Sequence, residues 1–303
     1  MSYPVVGMIG IGQLGLPIAS NLLQAGLPVV GYRRSDRAQF VGLGGVALDS
    51  PREVAGQADV ILLCLPGEAA CLEVLEGEGG GLLSALRPGQ LVVELGTYAR
   101  AFKLAQARKI EDTGARVLEC EVSGSPPMVA ARKAALLLGG DDDACAAGRA
   151  VLDAISPLQF RIGRYGDAVN MKLIANHLVA VHTLAAAEAM QLAIRAGFDP
   201  HRAAEVIGHG AGASTMFNIR APLMAARRFT PALGAFQTLD KYIDFASSLA
   251  AELGCATPLL DTAMPYFKRA LAAGMEHEDI AAVIKLLEAE SAPPVPSTQQ
   301  QSS

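Results

Sequence analysis

Residues 5–15 read Val5-Val6-Gly7-Met8-Ile9-Gly10-Ile11-Gly12-Gln13-Leu14-Gly15. Val5 to Ile9 is a short apolar run without polar alternation, the pattern of a strand buried on both faces. Gly10, Gly12 and Gly15 then fall in the spacing GxGxxG, and a helical stretch follows from Leu16 to Ala25, closed by Gly26. In a chain with 31 glycines the spacing alone says little. Its place between a strand and a helix makes it a dinucleotide-binding turn. The first glycine permits the tight turn, and the second lets the backbone approach a pyrophosphate. The third allows helix and strand to pack closely, with the helix N-terminus facing the phosphate charge. Gly10, Gly12, Gln13, Leu14 and Gly15 are therefore the expected cofactor cradle.

The end of the next strand, Pro28 to Tyr32, selects the cofactor. An NAD site places Asp or Glu there to accept the ribose 2′-hydroxyl. This chain has Arg33-Arg34-Ser35, and its carboxylate comes only at Asp36. Two guanidiniums and a hydroxyl suit a 2′-phosphate. NADP is the expected cofactor, with NAD possible.

Further strands are expected at Val46 to Leu48, Val60 to Leu65, Leu91 to Leu95, Arg116 to Val122 and Ala134 to Leu138. Helical stretches such as Ala99 to Asp112 and Asp142 to Ile155 separate most of them, which implies βαβ units and a mainly parallel sheet. After about residue 163 no strand is expected. Asp167 to Ala196 reads as one long helix without Gly or Pro, apolar nearly all round from Leu173 to Ala187. Helices are expected at 200–208, 235–253, 257–273 and 277–289. The fold expected is an α/β Rossmann doubly wound sheet (1–163) joined by a long helix to an all-α domain (164–291), with a disordered Pro/Ser/Gln-rich tail at 292–303.

Composition excludes several functions. The chain is 51% hydrophobic and 18% charged, with a formal net charge of −5, so neither disorder nor a general nucleic-acid affinity is expected. The five cysteines form no CxxC pair or Cys/His cluster, so no metal site or disulfide framework is expected, and the setting reads as reducing and cytoplasmic. Residues 1–32 carry no charged side chain, but Gly and Pro punctuate them and no basic segment leads them. They are not expected to enter a membrane. Asp141-Asp142-Asp143 reads as a helix N-terminus and not a metal cluster.

On the long helix Lys172 and Asn176 lie four apart, so an ammonium and a carboxamide face one way. A carbonyl/alcohol interconversion needs a hydride and a proton relay at oxygen, and a lysine can serve where burial and nearby positive charge tune it. Ser123-Gly124 follows the strand Arg116 to Val122. Arg132 and Lys133 could meet a second anionic group, although solvated surface charges are the better reading.

These residues together resemble the β-hydroxyacid dehydrogenase family, which includes 3-hydroxyisobutyrate dehydrogenase and, more distantly, 6-phosphogluconate dehydrogenase. The similarity runs over about residues 4–290. The resemblance implies that Leu65, Pro66 and Thr97 line the cofactor and that Ser123 and Gly124 begin the substrate-binding segment. It makes Lys172 the catalytic lysine and Asn176 a substrate-orienting residue, and it assigns Lys241 to the cofactor side of the site. Departures surround this centre. Where the family reads Asp-Ala-Pro-Val before Ser-Gly-Gly, this chain has Glu119-Cys120-Glu121-Val122, and the last glycine is Ser125. Val179 stands where decarboxylating 6-phosphogluconate enzymes carry a glutamate, which argues against decarboxylation. The expected activity is NADP-preferring interconversion of a small β-hydroxy acid, or related carboxylate-bearing alcohol, with its aldehyde or ketone. The alternatives are an imine reductase or a non-catalytic NADPH-binding protein. The partners expected are a small anionic carbonyl or alcohol substrate and further copies in a homodimer or homotetramer.

Overall fold

A computed structural model describes residues 3–77 and 81–291. The packing divides the chain into two compact units, residues 1–172 and 173–303. That division falls within the long helix, whereas the sequence pattern changes at about residue 163. The tail expected at 292–303 lies outside the described residues.

The first unit begins β1 (Val6–Ile9), α1 (Gly15–Gln24), β2 (Val29–Tyr32), α2 (Ala38–Gly42), β3 (Val46–Ala47), α3 (Pro51–Gln57), β4 (Val60–Leu63) and α4 (Glu68–Glu76). It continues β5 (Leu91–Glu94), α5 (Arg100–Glu111), β6 (Arg116–Ser123), α6 (Pro126–Ala130), β7 (Ala135–Gly139), α7 (Asp142–Ile155) and β8 (Gln159–Gly163). These strands make one sheet in the order β3-β2-β1-β4-β5-β6-β7-β8. All neighbours run parallel except β6 and β7. The chain leaves β1 toward β2 on one side and returns at β4 on the other. That reversal opens a crevice at the C-terminal ends of β1 and β4.

Alternate strand residues feed two cores. Met8, Leu62, Val93 and Leu118 pack on one face, and Ile9, Ile61, Leu63 and Val92 on the other. Both faces are covered, which is why the strands read as unbroken apolar runs. The exceptions are at the edge. β8 was not expected, because Phe160 and Arg161 are exposed and no apolar run marks the strand.

The second unit is helical. The long helix α8 (Asp167–Arg195) enters it, followed by α9 (Pro200–Gly208), α10 (Thr215–Ala225), α11 (Phe236–Glu252), α12 (Pro258–Ala272) and α13 (Ile284–Glu290). Among the described residues α8 is the one helix long and apolar enough to cross a membrane by length and composition, a test that buried core helices also pass. The sequence reading missed α10, whose interior Pro222 is a helix-breaking signal; Ser214 caps it by accepting the Phe217 N–H at 3.0 Å. The helix expected at 277–289 is instead a 3-10 turn, Ile280–Val283, running into α13. Buried Asp279 fixes that turn, accepting from the Leu233, Gly234 and Ala281 N–H groups and pairing with Arg220.

Candidate active site

The three glycines of the opening turn meet three different constraints. Gly10 has φ +95°, and a Cβ there would lie 2.1 Å from the Cys64 carbonyl oxygen beyond β4. A Cβ on Gly15 would lie 2.0 Å from the Gly10 carbonyl oxygen, so α1 sits directly against the turn. A Cβ on Gly12 would meet nothing within 4 Å. Gly12 and Gln13 are exposed, and no side chain caps the N-terminus of α1 at Leu14. Backbone that is crowded on the strand side and open on the outer side fits a dinucleotide pyrophosphate.

Beyond β2, Arg34 pairs at the surface with Glu73 of α4 at 2.8 Å. The Arg33 guanidinium is in no ion pair among the described residues, while the Arg33 carbonyl accepts from Arg37 Nε at 2.8 Å. The Asp36 carboxylate is turned to its own backbone, accepting the Ala38 N–H at 2.8 Å. That leaves a cationic strand end, with Ser35 exposed beside it.

The other expected residues gather along the C-terminal edge of the sheet. Cys64 donates its N–H to the Ile9 carbonyl at 2.8 Å, which sets Leu65 and Pro66 beside the glycine turn. Thr97 follows β5 and is buried. Ser123 closes β6, and a Cβ on Gly124 would lie 2.8 Å from the Ala134 Cβ, so this turn too requires a small residue. Asn21 of α1 donates to the Val129 carbonyl of α6 at 2.7 Å, tying the cofactor helix to the segment after Ser123-Gly124.

Lys172 reaches the same edge from α8. Its Nζ donates to the Val122 carbonyl at 2.5 Å and stands 3.9 Å from Glu121 Oε2. Residues 50 apart in sequence are thus joined beside Ser123. The charge beside it is the Glu121 carboxylate and not the positive neighbour expected from the sequence. Asn176, one turn further on α8, has its Nδ2 buried without a hydrogen-bond partner among the described residues. A buried donor in that state is suited to a ligand oxygen. Lys241 lies on α11 in the second unit, its Nζ 5.7 Å from the Phe245 ring centroid. Arg132, with φ +56°, is exposed and donates to the Asp153 carbonyl at 2.6 Å, and Lys133 is exposed.

The sequence reading did not anticipate a buried charge cluster behind this edge. Glu119 and Glu121 lie two apart on β6, on one face, and Glu94 of β5 is in register with Glu119. Lys103 of α5 is fully buried among them, with Nζ at 2.6 Å from Glu121, 2.8 Å from Glu94 and 3.1 Å from Glu119. It also donates to the Gly96 carbonyl at 2.8 Å. Thr97, expected at the cofactor, donates its hydroxyl to Glu121 Oε2 at 2.6 Å. Glu119 accepts from the N–H groups of Gly166, Ala168 and Val169 at 2.7, 3.0 and 3.1 Å, which anchors the start of α8. Burial pushes the Glu94 carboxyl up to about 7 despite the Lys103 ammonium. Burial also raises Glu119, but the ammonium and its backbone donors favour the charged form. The sequence carries only part of the signal: three glutamates in otherwise apolar strand runs call for a buried cation or for protonation, and nothing local names Lys103 as the partner.

The chain is similar to known proteins over nearly its whole length. Residues 5–165 match the NAD binding domain of 6-phosphogluconate dehydrogenase. Residues 166–287 match the NAD-binding domain of NADP-dependent 3-hydroxyisobutyrate dehydrogenase. The chain is 33% identical to an L-threonate dehydrogenase of Cupriavidus necator, over 93% of this chain and 95% of that one. It is 29% identical to the chloroplastic glyoxylate/succinic semialdehyde reductase 2 of Arabidopsis thaliana, over 94% and 79%. The crystal structure of a 3-hydroxyisobutyrate dehydrogenase from Salmonella typhimurium superposes with a TM-score of 0.86 at 30% identity, covering 94% of this chain and all of that one. The doubly wound sheet and its glycine turn define an NAD(P)-dependent oxidoreductase. The chain belongs to the β-hydroxyacid dehydrogenase family.

Proposed function

We propose that this enzyme is an NADP-preferring reductase and dehydrogenase of small carboxylate-bearing carbonyls and alcohols, with Lys172 as the proton relay. The observation that carries the reading is the placement of Lys172 Nζ on the Val122 carbonyl, beside Ser123-Gly124. The glycine turn would hold the pyrophosphate, with Arg33, Arg34 and Ser35 at the 2′-phosphate. Leu65, Pro66 and Thr97 would flank the nicotinamide end, and the resemblance assigns Lys241 to the same side. When bound, the cofactor supplies hydride chemistry at the carbon bearing oxygen. The Ser123 hydroxyl and Gly124 N–H hold the substrate carboxylate. Lys172 gives a proton to the carbonyl oxygen in reduction and takes it back in oxidation. The resemblance makes Asn176 the residue that orients the substrate, and its buried, unpartnered Nδ2 is a donor free for a ligand oxygen. The intact lysine favours this reading over imine reduction.

The test is oxidation of NADPH and of NADH with succinic semialdehyde, glyoxylate, tartronate semialdehyde and methylmalonate semialdehyde, and reduction of NADP with L-threonate. Turnover on at least one of these, faster with the phosphorylated cofactor, is expected. Turnover of cyclic imines alone would overturn the reading.

A further inference from the structure

We propose that Glu121 is the positioning residue of Lys172: its carboxylate, fixed from behind by Lys103 and Thr97, holds the lysine ammonium at the end of β6 and keeps it supplied with its proton. The role rests on the reading of Lys172 as the proton relay.

Lys103 has three N–H bonds, and four oxygens surround its Nζ: Gly96 O, Glu94 Oε2, Glu119 Oε1 and Glu121 Oε1. One ammonium cannot compensate three carboxylates. Burial raises the Glu94 carboxyl to about 7, whereas Glu119 has three backbone donors of its own. Glu121 uses both oxygens as acceptors, one toward Lys103 and the other toward the Thr97 hydroxyl. Even where Glu94 is protonated, two carboxylates face the single Lys103 ammonium. The buried set is then one negative charge in excess, and the Lys172 ammonium balances it.

The separation of 3.9 Å from Glu121 Oε2 to Lys172 Nζ is a charge contact and not a good hydrogen bond. The Val122 carbonyl supplies the hydrogen bond, so direction and charge come from adjacent residues of one strand. Among the described residues, ionisable groups near the ammonium include Glu121 on β6 and the thiols of Cys64 and Cys120, with Glu119, Glu94 and Lys103 clustered behind Glu121. Of these Glu121 makes the closest charge contact. After Lys172 has passed a proton to substrate oxygen, the neutral amine stands beside the Glu121 carboxylate, which favours its taking a replacement proton from solvent.

The test compares Glu121→Gln, Glu121→Asp and the double variant K103M/E121Q with the unsubstituted chain. The double variant removes both buried charges together and keeps the set balanced should the single variant fail to fold. The first readout needs no substrate: acetic anhydride labels only neutral amines, and mass spectrometry gives the labelling of Lys172 relative to exposed Lys133. Without the carboxylate, Lys172 labelling at pH 7 should rise about tenfold in Glu121→Gln and in the double variant, the effect of removing an opposite charge at this distance. Glu121→Asp should stay within about twofold of the unsubstituted chain. The second readout is the pH profile of glyoxylate or succinic semialdehyde reduction, whose alkaline limb should move about one pH unit lower in Glu121→Gln. An unchanged labelling ratio in folded Glu121→Gln or in the double variant overturns the proposal. Lys172→Ala separates the two claims. If it retains activity, the relay reading fails; if it is inactive while the Glu121 variants label normally, only the positioning role fails.

Discussion

Gly10 and Gly12 share a motif but answer to different physics. Gly10 sits in the left-handed region with a carbonyl oxygen where a Cβ would go, whereas a Cβ on Gly12 has open space around it. Gly10→Ala should therefore destabilise the fold by at least ~2 kcal/mol and abolish NADPH binding. Gly12→Ala should leave the melting temperature unchanged and weaken NADPH about tenfold, because its methyl group obstructs only the ligand. Thermal melts with fluorescence titration of NADPH check both. The arginines divide in a similar way. Arg34 is already engaged by Glu73, and Arg33 is in no ion pair among the described residues. Arg33→Ala should raise the Kd for NADPH by about tenfold or more, and Arg34→Ala by less, with NADH little affected by either. This much is legible in the sequence, because glycine spacing and strand-end charge are local signals. The Lys103 cluster is not. α5 reads as an ordinary polar helix, and only the sheet behind it shows that Lys103 points inward among Glu94, Glu119 and Glu121.

At the scale of elements, unbroken apolar runs announce β1, β4 and β5, and the absence of Gly and Pro announces α8 almost to its ends. Elements were missed where tertiary pairing outweighs local pattern. β8 is held by β7 rather than by buried apolar side chains, and α10 accommodates Pro222. Sequence and structure agree on α7. Asp141 accepts the Ala144 N–H at 2.7 Å, capping the helix as the acidic triplet implied. Asp141→Ala should lower stability by ~1 kcal/mol, read as a reduced urea midpoint, with turnover unchanged. Glu119 does comparable work for α8, and so couples the lysine-bearing helix to β6 through three backbone hydrogen bonds.

For the whole molecule, the buried cluster links stability to pH. The Glu94 carboxyl is pushed up to about 7 by burial, while an unfolded glutamate titrates near ~4.3. Between those values the native chain holds a proton that the unfolded chain has lost, so stability falls as pH rises from about 5 to 7 and levels off above. Glu94→Gln should flatten this slope and gain ~1–3 kcal/mol at pH 8 relative to the unsubstituted chain, since it removes a buried charge that forms there. Melts from pH 5 to 8 show either the flattening or an unchanged slope, and the latter would exclude Glu94 as the titrating group. The central claim is that a sheet-edge lysine passes the proton while the glycine turn holds the cofactor. It is tested most directly by measuring Lys172→Ala for NADPH affinity and for turnover on the best carbonyl substrate. NADPH affinity should stay within about twofold while turnover falls by at least ~10²-fold. Turnover near that of the unsubstituted enzyme would contradict it.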